Sequence, residues 1–335
     1  MKITGCAVHA VTVTFEGVMP GTHVVLRLRT DEGLEGVSYV SRLGPRTLRP
    51  MALMIEAMVE SLHGLDPRHT EDLHHRLTGP KLGAPVSGLE LRAASAVDVA
   101  CWDLKGKAVG QPVYKLMGGF RDRLPISANW ALMPGPPKDK LQAHLENLLA
   151  RGFRAVKAPC GFATIPAAVD HVKFIRSVVG PEVKIIVDLN FQHGVKDALR
   201  FARETEEVDL YWIEDPVAFH DYEGMAEVRA GARQPITCGE VYQFQHEFKW
   251  LLEKRCSDNV MIDQDLGLPR SALASDRGGA QWPHRRAGAV GAAAVHRADE
   301  GGGRQSRHVR RAGAGPDAGR GRAGEVRGQL RLAPG

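Results

Sequence analysis

The chain has 335 residues, of which 43% are hydrophobic, and this length suits two domains or one barrel with an appended domain. Its net charge is +5, but residues 268–335 hold 13 Arg and 5 acidic residues, so this segment carries +8 and the first 267 residues carry −3. No apolar run approaches the roughly 18 residues of a membrane-spanning helix, and the five cysteines show no C-x-x-C spacing. These features argue against a membrane protein, a disulfide framework and a zinc site, and they predict a cytoplasmic protein with reduced thiols.

Residues 1–124 have the pattern of an α+β domain. Three strands are predicted within residues 1–42, because 22–29 is rich in β-formers and Asp31-Glu32-Gly33 is typical of a turn between antiparallel strands. Helices are predicted over 46–62, 67–77 and 87–109, the last ended by Gly110 and Pro112. Strands followed by helices favour an α+β arrangement.

From about residue 125 the pattern changes to an alternation of strands and helices. Strands are predicted over 126–132, 155–158, 184–189, 210–213, 236–238 and 260–262. Amphipathic helices are predicted between them, over 138–151, 166–179, 196–206 and 243–254. Such an alternation indicates a parallel sheet, and the number of units favours a (β/α) barrel over residues 125–267.

Charged residues follow these strands at a regular interval. The strand ends read VKAP, IIVDLN, YWIEDP, ITCGE and VMIDQD, and they place Lys157, Asp188, Glu214, Glu240 and Asp265. The four acids are separated by 26, 26 and 25 residues, close to the roughly 30 residues of one βα unit in a barrel. They should therefore meet at the C-terminal rim of the barrel, where a group of carboxylates needs a cation and hard oxygen ligands favour Mg²⁺.

Over residues 1–267 the sequence resembles the mandelate racemase/muconate lactonizing enzyme family of the enolase superfamily. The resemblance is carried by TDEGLEGVSY, AASAVDVACWDLKGKAVGQPVYKLMGG, GFRAVKAP, IIVDLN, YWIEDP, TCGE and MIDQDLG in this order. It implies a modified (β/α)₇β barrel of TIM type with an N-terminal α+β capping domain. It also implies a homo-oligomer and a small carboxylate substrate, whose specificity would lie in capping-domain loops near 15–22 and 41–45.

The resemblance further implies the roles of individual residues. Asp188, Glu214 and Glu240 would be the ligands of an essential Mg²⁺. Asn190 would face the substrate, and Asp215 would support the ligands from behind. The implied chemistry is abstraction of the proton α to a carboxylate, which gives an enediolate whose negative charge requires preorganised positive charge.

The chain departs from the family pattern on one face of the site. Many relatives have K-x-K at the end of the second barrel strand, whereas this chain has Lys157-Ala158-Pro159. Proline cannot accept a proton, so the second base is absent. Lys157 would assist the substrate carboxylate or the base, although a lysine after a strand can also be an ordinary surface residue. The loss favours a one-sided acid-sugar dehydratase over a two-base racemase or epimerase.

The opposite face of the site should hold a His–Asp pair. Asp265 matches the aspartate, and the histidine is expected near residue 290. His284 and His296 bracket that position, but neither follows a strand-like run, so the histidine is not assigned.

The composition changes abruptly at Leu268. Arg, Gly, Ala and Pro make up 45 of the last 68 residues, and Ile, Phe, Tyr and Lys are absent there. One interpretation is a disordered basic tail that binds nucleic acid. The other is a shift of reading frame in a GC-rich gene, which is favoured because the break leaves the barrel incomplete after strand six. An inactive barrel is therefore a third candidate beside the dehydratase and the racemase.

Overall fold

The computed structural model describes residues 1–13, 21–41, 43–79, 86–119, 122–128, 132 and 134–263. Asp265, His284, His296 and the segment 268–335 lie outside these residues, as does most of the predicted loop 15–22. None of the described helices combines the length and apolarity needed to cross a membrane.

The N-terminal part contains a three-stranded antiparallel sheet in the order β1 (Ile3–Val13), β2 (Gly21–Thr30) and β3 (Glu35–Val40). Alternate residues of β2 face the core, so Val24, Leu26 and Leu28 are fully buried. Four helices follow: α1 (Pro45–Ser61), α2 (Thr70–Thr78), α3 (Gly88–Ala108) and α4 (Val113–Leu116). The three predicted strands and the three longer helices are confirmed.

Helix α3 is the centre of this domain and packs against β3. Apolar side chains are buried around most of the helix. The backbone of Gly36 in β3 lies directly against it. A Cβ atom at Gly36 would lie 2.2 Å from the carbonyl oxygen of Ala100. The absence of a side chain at this position therefore allows the sheet and the helix to approach each other.

The second part of the chain is a parallel sheet with helices between its strands. The strands are β4 (Ala155–Pro159), β5 (Lys184–Asp188), β6 (Trp212–Glu214), β7 (Ile236–Cys238) and β8 (Asn259–Val260), in that order across the sheet. The helices are α5 (Lys138–Ala150), α6 (Ile165–Val179), α7 (Val195–Glu204), α8 (Tyr222–Gly231) and α9 (Gln245–Glu253). Ala128 pairs in parallel with Val156, so the segment before α5 lies beside β4 as the first strand position of the barrel.

The register of the parallel strands aligns their C-terminal ends. Pro159 pairs with Asp188, Asp188 with Glu214, and Glu214 with Thr237. This alignment confirms the predicted parallel sheet and brings the charged strand ends to one edge.

The sequence analysis did not predict the one-turn helix α4 or the longer helix α8. Helix α8 contains Gly224 and Gly231 and has only a weak apolar face, so its pattern does not indicate a helix. Asp221 caps the N-terminus of α8, because its side chain accepts a hydrogen bond of 2.8 Å from the backbone N–H of Gly224.

Candidate metal centre

The ends of β5 and β6 place two acids side by side. Asp188 and Glu214 are neighbours in the parallel register, and their residues are only 4% and 1% exposed. Neighbouring parallel strands direct paired residues to the same face of a sheet, so both carboxylates enter the mouth of the barrel. Two ionised carboxylates that are buried on neighbouring strands repel each other unless a cation lies between them.

Lys157 supplies one positive charge to this pair. Its Nζ lies 2.9 Å from Oδ2 of Asp188 and also contacts Oε1 of Glu214. Burial lowers the pKa of Lys157, but the carboxylates of Glu214 and Asp188 raise it more, so the pKa lies above its ordinary value. The ammonium group therefore stays charged near neutral pH.

Trp212 holds the second carboxylate in place. Its indole N–H donates a 3.1 Å hydrogen bond to Oε2 of Glu214, two residues further along the same strand. Burial raises the pKa of Glu214, which Asp188 raises further and Lys157 opposes. The sequence analysis did not identify this contact, because the pattern WIED indicates a buried strand without showing where the indole N–H points.

Asp215 is the third acid of the centre. Oxygen atoms of Asp188, Glu214 and Asp215 lie within 4.8 Å of one another. Asp215 is fully buried, and neither of its carboxylate oxygens has a hydrogen-bond partner within the described part of the chain. Burial, Glu214, Asp188 and Glu240 all raise the pKa of Asp215, whereas Lys157 lowers it.

Glu240 follows β7 at the same edge of the sheet and is half-buried. It is not part of the group of three acids, although it acts electrostatically on Asp215. The turn that carries it requires Gly239, which has φ +127° and whose Cβ would lie 2.5 Å from the carbonyl oxygen of Met261. The structure thus brings two of the three predicted ligands together, with Glu240 nearby, and the set of three stays a prediction.

Asn190 is bound into the loop after β5. Its backbone N–H donates a 2.8 Å hydrogen bond to Oδ1 of Asp188, and its side-chain oxygen accepts one of 3.3 Å from Gly161. The first contact orients a predicted ligand. The predicted contact between Asn190 and substrate is not tested.

Cys160 lies behind the centre, where its backbone N–H donates a 2.7 Å hydrogen bond to the carbonyl oxygen of Asp188. Its thiol is fully buried, and burial together with Asp188 raises its pKa to about 12.

One histidine at this edge was not considered in the sequence analysis. His193 forms an isolated parallel β-bridge with Val217, which follows β6 in the chain. Its Nε2 is buried and has no hydrogen-bond partner among the described residues. Burial lowers the pKa of His193, and Asp197 opposes this effect. The expected pair of Asp265 with a later histidine lies outside the described residues.

The chemistry of the described donors fits a magnesium ion. Three carboxylates lie together with one lysine, and a fourth carboxylate lies nearby. The carboxylates therefore outnumber the positive charges in this group. The two oxygens of Asp215 have no hydrogen bond to offset their burial. Oxygen donors of this kind are those that Mg²⁺ prefers.

Comparison with known proteins defines the family. Residues 3–118 match the family model for the N-terminal domain of mandelate racemase / muconate lactonizing enzyme, and residues 140–265 match the model described as enolase C-terminal domain-like. The chain belongs to the mandelate racemase/muconate lactonizing enzyme family. Membership in this family confirms the resemblance and the predicted fold class, an N-terminal sheet domain followed by a parallel α/β domain of enolase-superfamily type.

Relatives of this chain include dehydratases and racemases. The L-talarate/galactarate dehydratase of Salmonella typhimurium is 28% identical over 242 residues, which cover 72% of this chain and 60% of the relative. The N-succinyl-L-Arg/Lys racemase of Bacillus cereus is 24% identical over 278 residues, which cover 78% of this chain and 72% of the relative. The match to the dehydratase thus spans less than two thirds of that enzyme.

A solved structure of the family contains the metal. The L-talarate dehydratase from Polaromonas sp. JS666, complexed with Mg and L-glucarate, has a TM-score of 0.75 and 26% identity, and the match covers 82% of this chain and 76% of that chain. This finding supports Mg²⁺ as the cofactor. The expected homo-oligomer, the cytoplasmic location and the domain boundaries 1–124, 125–267 and 268–335 stay predictions.

Proposed function

We propose that this chain carries the site of a Mg²⁺-dependent sugar-acid dehydratase. In the proposed reaction the proton α to the substrate carboxylate is removed, the β-hydroxyl leaves as water, and the product is a 2-keto-3-deoxy acid. The observation that carries the proposal is the buried group of carboxylates that surrounds Lys157 at the strand ends. The dehydratases among the relatives support the choice of reaction.

Asp188, Glu214 and Glu240 would hold the metal ion. When bound, Mg²⁺ supplies positive charge where negative charge develops on the substrate carboxylate. Asp188 and Glu214 are buried, and the low dielectric around them would strengthen their electrostatic interactions.

Lys157 would bind the substrate carboxylate as a cation. Its raised pKa keeps the ammonium group protonated, so it is better suited to neutralise charge than to accept a proton. Pro159 ends β4 where many relatives have a second lysine, so no proton acceptor is present at that position. The proton would instead be handled on the opposite face by a histidine paired with Asp265.

The reaction is tested by NMR in D₂O with a panel of sugar acids. Two forms of the protein are compared. The printed chain has the 335-residue sequence as it stands. In the completed form, the codons after residue 267 are translated in the frame that continues the barrel. We expect the completed form to produce a 2-keto-3-deoxy acid. Inversion of configuration with deuterium at the α carbon would show a racemase instead, and neither product from a folded protein would refute the proposed activity.

The ligand set is tested separately by Mg²⁺ binding. We expect Glu240→Gln to weaken Mg²⁺ binding at least 10-fold, on the order of the loss seen when a group that supports a metal is removed. Glu227→Gln, which changes an exposed acid of α8, is the matched control and should bind Mg²⁺ as the unmodified chain does. Unchanged binding by the Glu240 variant would remove this residue from the set.

A further inference from the structure

We infer that Asp215 is a direct ligand of the metal ion, beside Asp188 and Glu214, and does not merely support the ligands from behind. This inference rests on the proposed function, because it concerns the same ion. It is carried by the direction of the Asp215 side chain and by its lack of any hydrogen-bond partner.

The backbone at Asp215 turns its side chain toward the other two acids. Consecutive residues of a strand point to opposite faces of the sheet, so Glu214 and Asp215 should diverge. Asp215, however, has φ +45°, in the left-handed region that a non-glycine residue rarely adopts. As a result its carboxylate has an oxygen within 4.8 Å of oxygens of both Glu214 and Asp188.

Hydrogen bonds hold the backbone in this conformation. The N–H of Asp215 donates to the carbonyl oxygen of Thr237 on β7, and its carbonyl oxygen accepts from the N–H of Phe191, both at 2.9 Å. Pro216 follows directly and disfavours the right-handed helical conformation at Asp215. Unusual backbone conformations that are fixed in this way by their surroundings cluster at functional sites.

The surroundings of the carboxylate favour a bound cation. The Nζ of Lys157 forms its ion pairs with Asp188 and Glu214. Asp215 accepts no hydrogen bond from the described residues and is fully buried. A support residue would show a hydrogen bond to a ligand or to the backbone, as Trp212 does to Glu214 at 3.1 Å. A carboxylate without such a bond, aimed at two others, has the placement of a ligand.

The test counts the water molecules on bound Mn²⁺, which replaces Mg²⁺ as a spectroscopic probe. The full chain is carried on a soluble fusion partner, Mn²⁺ affinity is measured by equilibrium dialysis, and metal-bound water is counted by pulsed EPR in ¹⁷O-labelled water. We expect Asp215→Ser to weaken binding by about 10-fold or more and to add one water ligand in place of the lost carboxylate.

Trp212→Phe is the matched control, because it removes a hydrogen bond to a ligand without removing a ligand. It should weaken Mn²⁺ binding without adding a water. The inference is overturned if Asp215→Ser binds Mn²⁺ as tightly as the unmodified chain, or if its water count is unchanged.

A second variant, Asp215→Asn, distinguishes a metal ligand from a structural hydrogen-bond acceptor. If the serine variant does not fold, Asp215→Asn replaces it, and we expect the metal-free amide variant to melt no lower than the unmodified chain while Mg²⁺ raises its melting temperature less. A lower melting temperature with an undiminished Mg²⁺ effect would show a structural acceptor and overturn the inference. If neither the unmodified chain nor the completed form described above binds either ion, the proposed function itself fails.

Discussion

Lys157 links the stability of the barrel mouth to its chemistry. It is the positive charge that contacts both Asp188 and Glu214, and all three side chains are largely buried. Removing one partner of a buried ion pair leaves an uncompensated charge, which costs far more than the loss of a surface pair. The same ammonium group that would bind substrate therefore keeps the two acids together.

We expect Lys157→Met to lower the free energy of unfolding of the metal-free protein by about 3–5 kcal/mol, the usual cost of breaking a buried pair. Added Mg²⁺ should restore part of this loss, because it replaces the missing positive charge. Urea denaturation of the completed form of the protein, with Mg²⁺ and with a chelator, measures both effects.

Lys173→Met is the matched control. Lys173 pairs with Glu207 at 2.6 Å, but both side chains are exposed, so this change should lower stability far less than Lys157→Met does. Equal effects of the two substitutions would show that Lys157 has no special role in stability.

At the scale of elements, β3 and α3 are joined through Gly36. We expect Gly36→Ala to destabilise the protein by about 1–3 kcal/mol or more, because the new Cβ would lie 2.2 Å from a backbone oxygen that cannot move without shifting the helix. Gly44→Ala is the control, since φ there is −79° and no atom lies within 4 Å of the added carbon. Urea unfolding compares the two variants, each made in the completed form of the protein, and equal stabilities would contradict the proposed close packing.

Helix α3 also buries Asp98, which should make stability depend on pH. Burial raises the pKa of Asp98 from its ordinary value of 3.8 to about 7, and neither carboxylate oxygen has a hydrogen-bond partner in the described ranges. Between these values the unfolded chain releases the proton and the folded chain keeps it. Stability therefore falls as pH rises from about 4 to about 7, by on the order of 4 kcal/mol in all.

Asp98→Asn should remove this dependence, so in the completed form of the protein its melting temperature relative to the unmodified residue should rise up to about pH 7 and then level off. Asp72→Asn, which breaks an exposed pair with Arg76 on α2, should change the free energy of unfolding by less than about 1 kcal/mol. A constant difference between the Asp98 variant and the unmodified chain would exclude Asp98 as the source.

The sequence pattern predicts regular elements better than it predicts the direction of single side chains. Strand β5 and helix α6 agree with expectation within one residue, because their apolar periods are strong. Helix α8 does not, because its two glycines weaken the period. The spacing of acids predicts that Asp188 and Glu214 meet, but the turn of Asp215 depends on hydrogen bonds to β7 and to the loop at Phe191, which spacing does not show.

For the whole molecule, we expect the edge of the barrel to determine solubility. Within the described residues, β8 is paired on one side only, with β7. If residues 268–335 supply no further strands, the edges of the sheet stay unpaired and favour aggregation. We therefore expect the printed chain to be poorly soluble, to unfold without a sharp transition and to show no turnover. Soluble, cooperatively unfolding protein that dehydrates a sugar acid would contradict this prediction.

The completed form described above is the matched comparison for this prediction. Sequencing the gene around codon 267 and translating the other frames should show a segment that continues with a helix and two strands. Protein made with that segment should be soluble and should unfold in one cooperative transition. Equal behaviour of the two forms would show that the barrel edge does not limit the printed chain.

The buried thiol of Cys160 offers a way to observe the barrel mouth directly. Because it is sealed behind Asp188 and its pKa is raised to about 12, an alkylating reagent can reach it in reactive form only when the ends of β4 and β5 separate. The rate of its labelling thus reports how often the mouth opens. Lys157 of β4 is paired with Asp188 of β5, so loss of this ion pair should raise that rate, and a single cysteine then reports whether the mouth is held closed without any substrate.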